Sequence, residues 1–346
     1  PDILAEIGGA HPGGEHPKAK PELFQSTVEI ITGVCETPGE AKADLEATLL
    51  EVKEAAGARG YTLMSSGTHP FARSSEQIVT ADPRYHALVE EMQWTARRLL
   101  ICGTHFHVGL QSGEQAIAVF NELQRYLPVL LIMSASSPYL ETEDTGLASS
   151  RSKVFESLPT AGLPPLLRDW GDFEDFMETL LEAECISSIR EVWWDVRPHP
   201  DFGTVELRMC DAAPTIRETI AIAALAQSLV ARLAERYEQG DLPPLPRDWT
   251  IRENRWLAAR HGVDAKLIVD DRGRREPAGD ILARLVAELR PTAARIGASE
   301  ELDDLLELWR IGPSYVRQRR IIEAGGSYRD VVDSLITELQ TDQPQR

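Results

Sequence analysis

Along residues 102–110, CGTHFHVGL, polar and apolar side chains alternate with the period of two that a strand imposes, so His105 and His107 share one face. Two other stretches behave alike. In LFQSTVEIIT (23–32) Glu29 stands between Val28 and Ile30, and in GTVELRM (203–209) Thr204, Glu206 and Arg208 alternate with Val205, Leu207 and Met209. Each pattern turns an apolar face to a core and a polar face the other way. EVWWDVRPHP (191–200) predicts a further strand on which Trp193 and Trp194 point to opposite faces, so at least one is core. YTLMSSGTHPF (61–71) reads as a strand running into a turn.

Between the strands the period lengthens to that of helices. Residues 38–60 open with Pro38 and end past Gly57 and Gly60; residues 82–100 open with Asp82 as N-cap and Pro83 at the first helical position. Helices are also predicted over 113–136, interrupted near Pro128, over 172–186, and from Thr215 onward to the end. The stretch up to about Lys20 is rich in Gly, His and Pro and reads as loop, and residues 137–152 form a long polar loop. There is no regular βαβ alternation. The expectation is one α+β domain spanning 1–346, an antiparallel sheet followed by a helical C-terminal half.

Composition narrows the function classes. A formal charge of −19 over 346 residues argues against nucleic acid and anionic membranes as partners. Cys35, Cys102, Cys185 and Cys210 show no paired spacing and read as free thiols of a reducing compartment. With no membrane-length apolar run and no signal-peptide pattern, the expected location is cytoplasmic.

The polar faces carry the candidate chemistry. A half-exposed sheet alternates in this way routinely, and Glu206 with Arg208 would then be a weak surface pair. Three strands with compatible ligand types point elsewhere, because two glutamates and two histidines on one covered face need a cation. Oxygen-rich ligation favours Mg²⁺ or Mn²⁺ over zinc, and magnesium held this way keeps phosphates in its shell, which points to ATP. Arg208, Arg197 and Arg151 would neutralise the phosphates. No phosphate-binding loop is present: the pairs Gly8–Gly9, Gly13–Gly14 and Gly325–Gly326 match neither glycine-rich motif. His69 and His199 read as structural, and Cys35 and Cys102 as small buried hydrophobes.

Seven blocks in order carry a family likeness: STVEIITGVC, GTHPF, CGTHFHVGL, SASSPY with DTGLASSR, LPTAGLPP, WWDVRPHPDFGTVELRMCD and ENRWLAARHG. Together, from about Glu22 to about Asp333, they resemble the type 2 glutamate–cysteine ligases, or carboxylate–amine ligases. The resemblance implies a glutamine-synthetase-like fold in which an antiparallel sheet forms a funnel with helices outside. It also implies an ATP-dependent ligase that joins the γ-carboxylate of glutamate to an amine, cysteine in the first place, through an acyl phosphate, with a homodimer compatible with the family.

By the same resemblance Glu29, His105, Glu206 and Glu22 are metal or ATP-phosphate ligands, and Arg208 is the phosphate-facing arginine of TxExR. His107, Thr204, Arg197 and Arg151 lie in matching blocks. The family begins with a strand bearing paired glutamates in a GxExE pattern, which this sequence, opening at Pro1, does not show. The expectation is that this segment precedes Pro1; without it the fold would be an impaired, ligase-like binding protein. The enzymatic alternative is a metal-dependent amidohydrolase, which also uses HxH at a strand end. Glu206→Gln is expected to remove activity and leave the fold intact.

Overall fold

The computed structural model describes residues 1–345. Its centre is a three-stranded antiparallel sheet of β3 (Gly103–Gly109), β6 (Val196–His199) and β7 (Thr204–Asp211) in the order β3-β7-β6. The alternation in β7 holds: Val205, Leu207 and Met209 are buried in the main core together with Phe106 of β3. Helices α4 (Gly113–Leu123), α5 (Leu127–Ser134) and α8 (Ile216–Glu238) supply the other side of that core through Ile117, Phe120, Leu130 and Leu225. Trp194 is in this core and Trp193 is only half-buried, as opposite faces require.

Helix starts follow their capping residues. The Thr37 side chain accepts from Glu40 N at the head of α2 (Pro38–Gly57), and Asp82 accepts from Arg84 N at the head of α3 (Pro83–Met92). The break between α4 and α5 falls just before Pro128 and bends the pair by 66°. No single helix among the described residues is long and apolar enough to cross a membrane. The described C-terminal part is helical, as expected. After α6 (Arg151–Phe155) and α7 (Trp170–Glu182), and beyond α8, come α9 (Asp248–His261), α10 (Ala278–Arg295), α11 (Ser299–Ile311), α12 (Ser314–Glu323) and α13 (Tyr328–Thr341). A buried arginine, Arg317 of α12, donates to Glu218 of α8 and Glu338 of α13 and so ties three of them together.

Three expectations need correction. Residues up to Lys20 are not all loop: α1 (Asp2–Gly8) packs Ile7 against Val52 and Ala55 of α2, and β1 (Ala19–Pro21) forms a strand. The strand bearing Glu29 is short, β2 (Val28–Ile30), and pairs with β1 in a sheet separate from the central one. Its N-terminal half turns away because Thr27 N bonds back to Phe24 O while Gln25 N bonds Ile78 O. Residues 61–71 make no strand, only a bridge from Thr68 to Ile101. Their small polar side chains take tertiary partners instead: Ser66 Oγ donates to Ser136 O and Thr68 Oγ1 to Tyr139 O. Two short hairpins complete the strands, β4 (Tyr139–Leu140) with β5 (Glu143–Asp144), and β8 (Lys266–Ile268) with β9 (Arg275–Pro277).

One irregularity shapes the site. Thr104 pairs with Cys210, but Phe106 pairs with Leu207, so Arg208 and Met209 together oppose His105. This bulge resets the alternation and lets Asp211, paired with Gly103, lie beside Arg151 at 4.0 Å. A Cβ on Gly103 would overlap the Arg151 guanidinium, which is fixed by bonds to Met209 O (3.0 Å) and Arg208 O (3.3 Å). Gly103→Ala should therefore cost about 1–3 kcal/mol of stability in urea unfolding, whereas an unchanged midpoint would show that Arg151 is free to move.

Candidate active site

The register of the central sheet assembles the site. His107 of β3 and Arg197 of β6 are the direct cross-strand partners of Glu206 on β7, so three ionisable side chains form one row. Glu206 is 2 % exposed. Arg197 Nε donates to its Oε2 at 2.6 Å and Arg208 Nη1 to its Oε1 at 2.5 Å. His107 Nε2 and His105 Nδ1 face Oε1 at 3.4 and 3.5 Å. A carboxylate only accepts, so His107 carries its proton on Nε2, and its Nδ1 accepts from the Thr204 hydroxyl at 2.9 Å.

These contacts decide the charge states. Burial opposes ionisation of Glu206, but the His107 hydrogen bond and the charges of Arg208 and Arg197 overcome it and hold the carboxyl well below its ordinary range. Burial, reinforced by the positive charge of Arg208, pulls Arg197 down to about 10, which leaves it protonated at neutral pH. His105 is held well below its ordinary value by desolvation, with Arg208 adding to it, and is neutral with a lone pair to offer. Its side chain keeps one-third of its surface exposed, so it is desolvated by flanking protein while solvent still reaches it.

Glu29 feels the charges of Arg208 and Glu206. It too is exposed yet desolvated; burial raises its pKa, and the charge of Glu22 raises it further, while Arg84 and Arg208 pull the other way. Glu22 N-caps nothing, but one carboxylate oxygen accepts from Leu23 N at 3.0 Å. Glu22 and Glu29 thus repel one another within reach of the charges of Arg208 and Glu206. Their donor types, with the neutral imidazole of His105, are those a hard divalent cation takes, but their spacing is not. The four predicted ligands do not lie within chelating distance of one another. Among the described residues only His11, His16 and Glu51 bring three such atoms together. In that cluster His16 Nδ1 accepts from Lys18 N (3.1 Å) and Ala19 N (2.8 Å), which puts its proton on Nε2, toward Glu51, and leaves no lone pair there for a metal.

The arginines are less open than their sequence pattern suggested. Arg197 is buried and also donates to Ile189 O and Val192 O, and Arg151 is 3 % exposed beneath β7. Arg208, 8 % exposed, keeps a buried Nε without a partner. The Glu206–Arg208 pair is thus not a surface pair, and Glu206→Gln cannot leave the fold untouched, because it strands two buried guanidinium groups. Cys102 is an unactivated thiol, pushed up to about 11 by burial and Glu22, and Cys35 is only half-buried rather than a core hydrophobe. His69 has the structural role expected of it, accepting from Phe71 N and Ala72 N in a turn. Arg84 and Tyr85, whose hydroxyl donates to Pro21 O at 3.0 Å beside Glu22, escaped the sequence reading. The DPRY start marked a helix but not the element it would meet.

A family model for glutamate-cysteine ligase family 2 (GCS2) matches residues 4–334. The chain belongs to that family. It is 53% identical over 344 residues to a protein of Frankia casuarinae named "Putative glutamate--cysteine ligase 2-1", covering 99% of this chain and 89% of the relative. A protein of Thermobifida fusca named "Putative glutamate--cysteine ligase 2" is 49% identical over 341 residues, covering 99% and 85%. Among solved structures, glutamate–cysteine ligase from Francisella tularensis in complex with AMP superposes with a TM-score of 0.67 at 10% identity, covering 98% of this chain and 84% of that one. At that identity the likeness is one of fold.

Two measurements check the electrostatics. Glu206→Gln should lower stability by about 3–5 kcal/mol in chemical denaturation, the usual loss when one partner of a buried pair is removed. Glu29→Gln should do the opposite. A raised folded-state pKa means that ionisation destabilises the fold as pH rises through that value. The variant should therefore melt higher than the parent at pH 7, and the gain should vanish below the ordinary carboxylate range, where Glu29 is protonated folded and unfolded alike. A gain that persists at low pH would rule out this origin.

Proposed function

We propose that this family member is an ATP-dependent ligase that joins the γ-carboxylate of glutamate to an amine, with cysteine as the acceptor, in the cytoplasm. The observation that carries the reading is the row of His107, Glu206 and Arg197 with Arg208 beside it, and Glu29 with Glu22 near enough to couple to it. A carboxylate is a poor electrophile until one oxygen becomes a leaving group. In the proposed route a γ-carboxylate oxygen attacks the terminal phosphorus of ATP and ADP departs. The amine nitrogen then attacks the acyl carbon, phosphate leaves with the C–O electron pair, and the nitrogen gives up a proton.

Each side chain has a part in this reading. Glu22, Glu29, His105 and Glu206 would have to draw together from their present positions to hold Mg²⁺ or Mn²⁺, and a bound divalent ion would supply charge neutralisation for the triphosphate. Arg208 offers positive charge beside the transferring phosphoryl group, where preorganised cations matter most. Arg197 holds Glu206 in place, and Arg151 fixes the bulge from below. His107 and Thr204 orient polar contacts to the nucleotide phosphates. The amidohydrolase alternative needs a parallel barrel with further histidine ligands. The central sheet is antiparallel, and the downstream His199 is stacked on Phe202.

Purified protein with Mg²⁺, ATP, glutamate and a panel of amines should release ADP only when an amine is present, fastest with cysteine. Glu29→Gln, which keeps the fold, should slow that release by about 10²- to 10³-fold. ADP release with no amine dependence for any panel member would overturn the ligase reading.

A further inference from the structure

Two of the sequence blocks, ENRWLAARHG (253–262) and LPTAGLPP (158–165), hold no side chain with a part in the chemistry above. They meet at Asp195, the residue just before β6, which is 1 % exposed. Arg255 of α9 grips the Asp195 carboxylate with two nitrogens, Nε on Oδ2 and Nη2 on Oδ1 at 3.0 Å. Its third nitrogen, Nη1, lies 2.8 Å from Glu156 Oε1. Gly162 O accepts from Asp195 N at 2.7 Å, so both the side chain and the main chain of Asp195 are fixed.

Asp195 in turn holds Arg208. Its carbonyl accepts from Arg208 N at 2.7 Å, across from the bulge where Arg208 loses its regular pairing with β3. At the other end of the same residue, Arg208 O accepts from Arg151 Nη2 at 3.3 Å. That second hold also leads back to α9. Ala259 O, among the last carbonyls of the helix, accepts from Ala148 N (2.8 Å) and Ser149 N (3.1 Å). Ser149 Oγ then donates at 2.8 Å to Asp211, the carboxylate beside Arg151. The helix itself is pinned, because Asn254 exchanges two bonds with Ile268 of β8, at 2.8 and 2.7 Å.

Both main-chain groups of Arg208 are therefore tied to one helix through buried contacts. Little else aims its side chain. Among the described residues the Arg208 guanidinium bonds only Glu206, and its Nε is buried without a partner. Where the main chain sits thus decides where the charge sits. We infer that Arg255 is a positioning residue for the phosphoryl transfer, setting the Arg208 guanidinium through Asp195. The inference rests on the ligase reading above and adds the element that aims its phosphate-facing arginine. A planar fork is needed for this task, since a lysine is a point charge and cannot span both Asp195 oxygens and Glu156 at once.

Steady-state ADP release at saturating Mg²⁺-ATP, glutamate and amine, counted per folded molecule, tests this. Arg255→Lys should lower kcat about 10- to 100-fold, the usual scale for a small misplacement of a preorganised group. KM for the amine should stay unchanged, because Arg208 faces the phosphate and not the acceptor. In an Arg208→Lys background the same substitution should cost no further rate, since the group it aims is already gone. Glu156→Gln, at a partly exposed position, should give a smaller fall in the same direction, and it decides the question should Arg255→Lys fail to fold. Arg317→Lys, which loosens a buried ion network between α8, α12 and α13, should lower the melting temperature and leave kcat unchanged. Unchanged kcat in Arg255→Lys and Glu156→Gln, or losses that multiply with Arg208→Lys, would overturn the positioning role and leave the ligase reading standing. A parent protein that releases no ADP with any amine would overturn the ligase reading and the inference with it.

Discussion

One carboxylate organises the site: Glu206, on the middle strand of three, with a charged or polar partner on each side. The antiparallel register pairs it with Arg197 on β6 and His107 on β3. A buried carboxylate facing two guanidinium groups is tolerable only when the geometry is good and the hydrogen bonds are made. A one-residue slip of either neighbour would send its polar set into the apolar core of Phe106, Val205 and Leu207. Strand register and site geometry are thus a single constraint.

The surroundings of that row can be understood as a charge balance around it. Glu206 is satisfied by arginines that the fold itself supplies, and His105 is neutral. Glu22 and Glu29 have no comparable neutralisation; Arg84 and Arg208 only partly offset the rise in Glu29. The protein therefore keeps two under-neutralised carboxylates near a pair of buried arginines. Such an arrangement is costly in the absence of a counter-charge. In a chain of net charge −19 the positive charge is thus local and buried.

Much of this was legible in the sequence because alternation and capping are local signals. The faces of β3 and β7, the start of α3 at Asp82 and the break before Pro128 depend on residues close in the chain. What was not legible depends on partners far away. The short β2 owes its separate sheet to β1, and the polar run 61–71 gives up a strand for bonds to Ser136 and Tyr139. The bulge at Arg208 and Met209 is invisible to a period of two, yet it decides that Asp211 and Arg151 meet. The consequence for Glu206→Gln follows from the same limit: sequence gives the residue type, but not the two buried cations that lean on it.

The alternation of β7 also sets where charge ends along the strand. Its site-facing residues run Arg208, Glu206, Thr204, and the hairpin then presents Phe202, so the ionisable groups of this strand stop before the tip. That order is set by the chain, since Gly203 must form the turn and Glu206 must sit opposite Arg197. The same register that holds the central carboxylate therefore fixes how far the charged row stands from the hairpin.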